Sequence, residues 1–231
     1  MSDSKKIEEK NHEKLSLSEE INAFILKNRK GILICFGVLV VALGGFIGGI
    51  AIKGAVQNKT LSTVEGFNSR YEELRWDISE GTKTEEAAAL LEELSAFAQK
   101  TSGYAGGRAW AIIAGIRGSQ KNWPEAEQAW SSAAKAASKT YLAPAALFNA
   151  AAAAEEQGNA ERAIALYTEC LAKADLFPAA ARAQFSIGRL HESQSNKDAA
   201  LEAYRTLVNK WPGDPVWTNL AQNRIIALQL N

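Results

Sequence analysis

Side chains able to carry covalent or metal chemistry are scarce in this 231-residue chain. It has two histidines, His12 and His191, and two cysteines, Cys35 and Cys170. With so few, neither a metal cluster nor a catalytic triad can be assembled, and no CxxC, HExxH or glycine-rich phosphate loop occurs. Cys35 lies in an apolar run and Cys170 in a predicted helix, so a bridge between them is geometrically implausible. The residues therefore predict no enzyme, no cofactor, no metal and no small-molecule substrate. Six tryptophans invite a ligand-binding reading. However, Trp110, Trp123 and Trp130 recur at packing positions and Trp211 adjoins Pro212. Trp76 and Trp217 are expected to pack the two ends of the domain.

The elements that must place these residues are announced by an echo. Gln120-x-Asn122-x-x-x-Ala126-x-x-x-Trp130 returns 37 residues later as Gln157, Asn159, Ala163 and Tyr167, and again as Gln194, Asn196, Ala200 and Tyr204. A fixed period of this size marks stacked supersecondary units, none of which can bury its apolar face alone. Asn122, Asn159 and Asn196 stand where a helix should begin and can accept from unpaired backbone N–H groups. Pro124 falls in a first turn, where its missing N–H costs little. Thr84 before Glu85 and Glu86 reads as another start. Ala126, Ala163 and Ala200 mark close helix crossings. Phe148 and Phe185 are also 37 apart, as are Ala151 and Gly188. The predicted pairs are 62–79 with 84–100, 105–120 with 123–139, 143–157 with 159–174, and 179–194 with 197–210. A helix at 214–230 should cap the stack.

Charge excludes one partner class. The chain balances 26 basic against 26 acidic residues, and from Lys53 onward 19 Lys and Arg face 20 Asp and Glu. That stretch is near −1, without the basic excess that neutralises phosphates, so no nucleic-acid partner is expected.

Gly31 to Ile52 contains 22 residues and no charge. As a helix it extends roughly 33 Å, close to the hydrocarbon thickness of a bilayer. A signal peptide is the poorer reading, since the apolar run is long and no small-x-small cleavage site follows. Cys35, preceded by Ile34, lacks a lipobox. Lys27, Arg29 and Lys30 before the span tip the positive-inside rule toward a cytoplasmic N-terminus, against Lys53 and Lys59 after it. Gly44, Gly45, Gly48 and Gly49 form two overlapping small-xxx-small pairs suited to close contact with another membrane helix. Ser16-x-x-Glu19 reads as a capping box, opening a helix with Leu17, Ile21, Phe24 and Ile25 on one face. Residues 1–14 read as disordered. The expected organisation is 1–30 as a cytoplasmic segment, 31–52 as a transmembrane helix, and 53–231 as the repeat domain.

The repeat pattern resembles the tetratricopeptide repeat over residues 107–212. The likeness rests on Trp110, Gly188, the turn Gln157-Gly158-Asn159, Ala163, Tyr167 and Pro212. It departs in period, 37 against the family's 34. The resemblance implies an all-α fold, an α-solenoid of helical hairpins after a single membrane helix, and partners that are proteins. It also implies a groove lined by the first helix of each pair, which puts Arg108, Phe148, Asn149, Arg182, Phe185 and Arg189 on the inner face. Guanidinium forks, an amide and aromatic rings there suit an extended peptide or a helix bearing a carboxylate. Pairing of those arginines with Glu155, Glu156 and Glu192, and Phe148 and Phe185 as core, is the open alternative.

As an architecture, a short charged N-terminus, the stretch INAFILKNRKGILICFGVLVVALGGFIGGI and repeats to Asn231 is similar to the bacterial ancillary subunit of the Sec translocon. That resemblance implies an inner-membrane protein with a periplasmic repeat domain, assisting exported proteins as a chaperone. The alternatives are a structural adaptor for cell-wall or outer-membrane assembly, and a membrane-tethered cytosolic receptor of opposite orientation.

Overall fold

The computed structural model describes residues 17–230, and every regular element among them is helical. In chain order these are α1 (Leu17–Ser79), α2 (Thr84–Lys100), α3 (Gly103–Ser119), α4 (Trp123–Ala136), α5 (Leu142–Glu156), α6 (Ala160–Leu171), α7 (Ala180–Ser193), α8 (Lys197–Lys210) and α9 (Pro215–Leu230). A 3-10 turn at Ala174–Leu176 separates α6 from α7. The predicted elements at 31–52 and 62–79 both fall within α1. The capping box at Ser16 and the segment 1–14 lie outside the described residues.

The chain divides into two compact units, one ending at Gln57 and the other starting at Asn58. In the first, large apolar side chains such as Leu33, Phe36, Val41 and Phe46 are exposed. At Gly44, Gly45, Gly48 and Gly49 an added Cβ would meet nothing within 4 Å. One helix among the described residues, α1, is long and apolar enough to cross a membrane.

The second unit is built from antiparallel hairpins, α3 with α4, α5 with α6, and α7 with α8. Alternating apolar positions explain why each must stack. Leu90 and Leu94 of α2 bury against Ile112, Ile113 and Ile116 of α3. Leu147, Leu166, Tyr167, Ile187 and Leu190 form the next layer, and Tyr204, Leu207 and Ala221 the last. Each such large side chain contributes roughly 1.5–3 kcal/mol when withdrawn from water. Ala126, Ala163 and Ala200 are buried where the helices cross, as their size predicts. An added Cβ on Gly188 would stand 2.5 Å from the Tyr204 ring, so glycine there sets the approach of α7 to α8.

The Gln-x-Asn echo is a helix-to-helix turn with a defined backbone. The middle residue, Lys121, Gly158 or Ser195, is left-handed at φ 58°, 73° and 58°. The asparagine N–H then reaches back five residues, Asn122 to the Arg117 carbonyl, Asn159 to Ala154 and Asn196 to His191. The middle residue bonds three back, to Gly118, Glu155 and Glu192. This is the Schellman closure of a helix C-terminus. The same closure ends α1, where Gly81 at φ 74° precedes Thr82, whose N–H bonds the Asp77 carbonyl at 2.8 Å. That first hairpin thus turns in the same way as the later ones. The three Gln-x-Asn turns are each three residues long and the one after α1 is four, whereas the connections from α4 to α5, α6 to α7 and α8 to α9 span five, eight and four residues.

Several local expectations change. Asn159 and Asn196 cap their helices, accepting from the Arg162 and Ala199 N–H groups at 3.1 and 3.3 Å. Asn122 stands at the same position without that bond. Thr84 is the first helical residue and not the cap; Lys83 precedes it at φ 47°. Trp76 does not close an end of the domain, being 76% exposed. Trp217 does close the far end, its ring 5.4 Å from Phe185. The 214–230 helix is present as α9, started by Asp214, whose carboxylate accepts from the Trp217 N–H at 3.3 Å.

Candidate functional site

The six residues assigned to the inner face divide among three places. Arg108 belongs to α3 and turns to α1, donating to the Asn68 side chain at 3.2 Å with Glu65 at 3.6 Å. Its Nε is buried without a partner. Phe148 on α5 shares a seam with Arg182 and Arg189 on α7, and Asn149 follows Phe148 along α5. Phe185 faces the other way along α7, toward α8 and α9.

On the α5–α7 seam Phe148 is the centre of an aromatic group, 5.2 Å from Tyr167 and 5.5 Å from Phe177. The Arg182 guanidinium lies 5.1 Å over its ring, an attraction between cation and π-face. Arg182 is exposed and has no ion-pair partner among the described residues; the Asn149 amide is half-buried and has no hydrogen-bond partner among them. Among the described residues the Arg182 guanidinium thus keeps its N–H donors free on this seam. Arg189 is committed instead, its guanidinium bonded to Glu155. The Tyr167 hydroxyl donates to the same carboxylate at 2.7 Å. Burial and this carboxylate push the Tyr167 phenol well above its ordinary range.

One repeat later the group recurs. Phe185 stands 5.3 Å from Tyr204, the Tyr204 hydroxyl donates to Glu192 at 3.0 Å, and Arg224 of α9 bonds that carboxylate. Burial raises the Tyr204 phenol to about 12. Phe185, Arg189, Glu192, Ser193, Tyr204 and Arg224 line an open cleft of about 390 Å³. Glu155 and Glu192, 37 residues apart, are partners that the sequence pattern offers the arginines. Arg224 is not so marked, because it follows Arg189 by 35 residues and breaks the period. Tyr104 and Tyr141 form a further 37-residue echo that sequence reading missed, their hydroxyls 2.9 Å apart at the starts of α3 and α5.

An outer tie joins the first two full repeats. Glu127 on α4 accepts from Arg162 at 2.7 Å and from the Gln157 amide at 2.9 Å. His191 is half-buried with its Nδ1 enclosed and unpaired. Cys170 is fully buried and its thiol is pushed up to about 12, which keeps it protonated and inert.

This geometry agrees with comparisons to known proteins. Residues 113–175 and 168–215 match the family model of the tetratricopeptide repeat. A TPR repeat-containing protein of Treponema pallidum is 36% identical over 144 residues, 62% of this chain and 59% of that protein. The chain thus spans about three-fifths of that relative's length. Two crystal structures of nearly identical TPR-like repeats from a Podosopora anserina kinesin light chain superpose with TM-scores of 0.50 and 0.51. Each is 15% identical, covering 72% of this chain and 96% or 95% of its own, a likeness of fold alone. Residues 113–215, from within α3 to the end of α8, thus match the tetratricopeptide repeat, a kind of repeat that generally mediates protein–protein interaction.

Proposed function

We propose that this chain is a membrane-anchored protein-binding module of the bacterial inner membrane, an ancillary translocon subunit that holds exported proteins as they emerge. The reading rests on one observation: a charge-free stretch from Gly31 to Ile52 and an array of repeats share a single chain. Lys27, Arg29 and Lys30 favour a cytoplasmic N-terminus, which leaves the repeats on the periplasmic side. Gly44, Gly45, Gly48 and Gly49 supply the surface for a neighbouring membrane helix. Client polypeptide engages the α5–α7 seam, where Arg182 retains unused hydrogen-bonding capacity over the Phe148 ring and Asn149 lies next along α5.

Purification in mild detergent, combined with crosslinking from positions beside Gly44 and Gly48, tests the assignment. Recovery of channel subunits is the expected result; recovery of cell-wall or outer-membrane assembly proteins would install the adaptor reading instead. A carboxy-terminal reporter active in the cytoplasm would refute the orientation. Arg182→Glu should weaken client retention while leaving helicity unchanged and melting nearly so, since the exposed guanidinium gives up only its contact with the Phe148 ring, about 0.5–1 kcal/mol. Unaltered client retention in this variant would remove the α5–α7 seam from the proposal.

A further inference from the structure

The two edges of the helical stack carry opposite charge. Successive helices run antiparallel, so the ends of α2, α4, α6 and α8 share one edge with the loops that follow them. Contacts along that edge agree. The Lys173 Nζ donates to the Ser138 carbonyl at 3.5 Å, and the Tyr104 and Tyr141 hydroxyls stand 2.9 Å apart. Residues 100–104, 135–142, 172–180 and 209–215 hold five lysines against Asp175 and Asp214. The other edge, at 80–86, 120–125, 156–161 and 194–198, holds seven carboxylates against three lysines.

The pairing of these charges differs as well. Arg70, Arg117, Arg162, Arg189 and Arg224 each bond a glutamate. Lys100, Lys135, Lys139, Lys173 and Lys210 have no ion-pair partner among the described residues, and all but the half-buried Lys173 are exposed. A lysine in the last turn of a helix complements its dipole, which accounts for Lys100, Lys135 and Lys210. It does not account for Lys139 and Lys173, which follow α4 and α6 and lie outside them. In the same loops Tyr141 is 62% and Leu176 48% exposed. Unpaired ammonium groups among exposed rings and aliphatic side chains suit the headgroup layer of a bilayer, where charge meets phosphate and amphipathic rings settle.

The point at which the chain enters this unit identifies the occupant. The unit begins at Asn58, six residues after Ile52 closes the charge-free stretch. Six residues reach at most roughly 22 Å. Within the unit α1 runs antiparallel to α2, with Asp77 paired to Lys83, Arg70 to Glu93, and the Phe67 ring 5.5 Å from Phe97. The earlier residues of α1 therefore lie toward Lys100, and the chain joins the repeats at the lysine edge. The carboxylate edge is the far one. We propose that the lysine edge docks on the anionic surface of a phospholipid bilayer, with Lys135, Lys139 and Lys173 meeting lipid phosphates and Tyr141 and Leu176 entering the interface. This rests on the membrane-anchored reading of the chain and not on the translocon assignment.

The full chain carrying Cys35→Ser, reconstituted into lipid vesicles, tests the docking. With about a third of the lipid as phosphatidylglycerol, a fluorophore on Ser138→Cys should be quenched by lipid bearing a nitroxide at its headgroup. One on Glu161→Cys, at the opposite edge, should not be. In phosphatidylcholine alone, or at about 1 M salt, quenching at 138 should fall at least about threefold. Lys135→Glu, Lys139→Glu and Lys173→Glu together should remove it, whereas Lys121→Glu with Lys197→Glu should leave it unchanged. Lys135→Gln, Lys139→Gln and Lys173→Gln together add no carboxylate and should also weaken it, with circular dichroism confirming the fold. Quenching that is equal at 138 and 161, or indifferent to phosphatidylglycerol or to the three lysines, overturns the proposal. A chain that fails to float with phosphatidylcholine vesicles overturns the anchored reading and this one with it. A chain that floats while its 138 probe stays unquenched overturns the docking alone.

Discussion

In the α3–α4 hairpin the packing slot between helices is filled by Trp130, and the residue twelve positions earlier is Gly118. In α5–α6 and α7–α8 the same two positions hold Tyr167 with Glu155 and Tyr204 with Glu192. Indole and phenol serve the same steric purpose, but the phenol brings a hydroxyl into the core that must find an acceptor. Glutamate provides it, at 2.7 Å for Tyr167 and 3.0 Å for Tyr204. The carboxylate is then mostly enclosed and needs a countercharge, which the next repeat lends as Arg189 or Arg224. One change of aromatic type has thus recruited two further residues, and these link successive hairpins. Half-exposed pairs of this kind add little by themselves, about 0–1 kcal/mol. Their effect is to hold α5 to α7 and α7 to α9 in fixed register. The α3–α4 hairpin lacks this relay and is tied to α6 through Glu127 on its outer side.

The largest expected effect is on what the hairpins share. Ala126 and Ala163 are both buried at the helix crossing, four residues before Trp130 and Tyr167. Ala163→Leu and Ala126→Leu should each destabilise by about 1–3 kcal/mol through overpacking, measured by denaturant unfolding. Comparable losses would establish one steric slot under two chemistries. A loss confined to Ala163→Leu would break the equivalence and make the α3–α4 crossing looser than its burial implies.

The next prediction separates the two solutions. Tyr167→Phe and Tyr204→Phe keep the ring and delete the donor to a carboxylate, so each should cost about 1–2 kcal/mol. Proteolysis should show the α5–α7 or α7–α9 junction opening earlier, because the carboxylate has lost one of its two partners. Trp130→Phe loses only ring volume and should leave the junctions after α5 undisturbed. If both tyrosine variants melt like the parent, the relay is ornamental and water serves those glutamates as well.

How far the sequence discloses this differs by residue. The helices were readable because Asn, Ala and an aromatic recur at fixed spacing, and those positions are dictated by backbone closure and steric fit. Glu155 and Glu192 obey the period too, so they could be named as partners of the arginines. Arg224 could not, because α9 departs from the 37-residue register and a long side chain reaches its target from a different turn. The scattering of the six inner-face residues was hidden for the same reason. Helical register assigns a side chain to a face, but Arg108 turns to α1 and Arg189 to Glu155 according to which acceptor lies within reach. Trp76 was misjudged on composition: a large ring is normally worth burying, yet here it stands in solvent.

The smallest effect belongs to the turns, and it sharpens the comparison at the backbone level. All three Gln-x-Asn turns hold their middle residue left-handed, but only α5–α6 places glycine there. Lys121 and Ser195 carry a Cβ against the following carbonyl, a cost of roughly 1 kcal/mol that glycine avoids. Glycine also widens the unfolded ensemble, which takes back part of the gain. Lys121→Gly and Ser195→Gly should therefore stabilise by a few tenths to about 1 kcal/mol, and Gly158→Ala should destabilise by a similar amount. Thermal melting of the three variants side by side provides the check. Stabilisation at 195 without any at 121 would tie the difference to Asn122, which stands at its helix start without the side-chain bond that Asn196 makes. A turn whose cap is already unmade has less rigidity to lose, so relief of its left-handed strain would be spent in local motion and not in global stability.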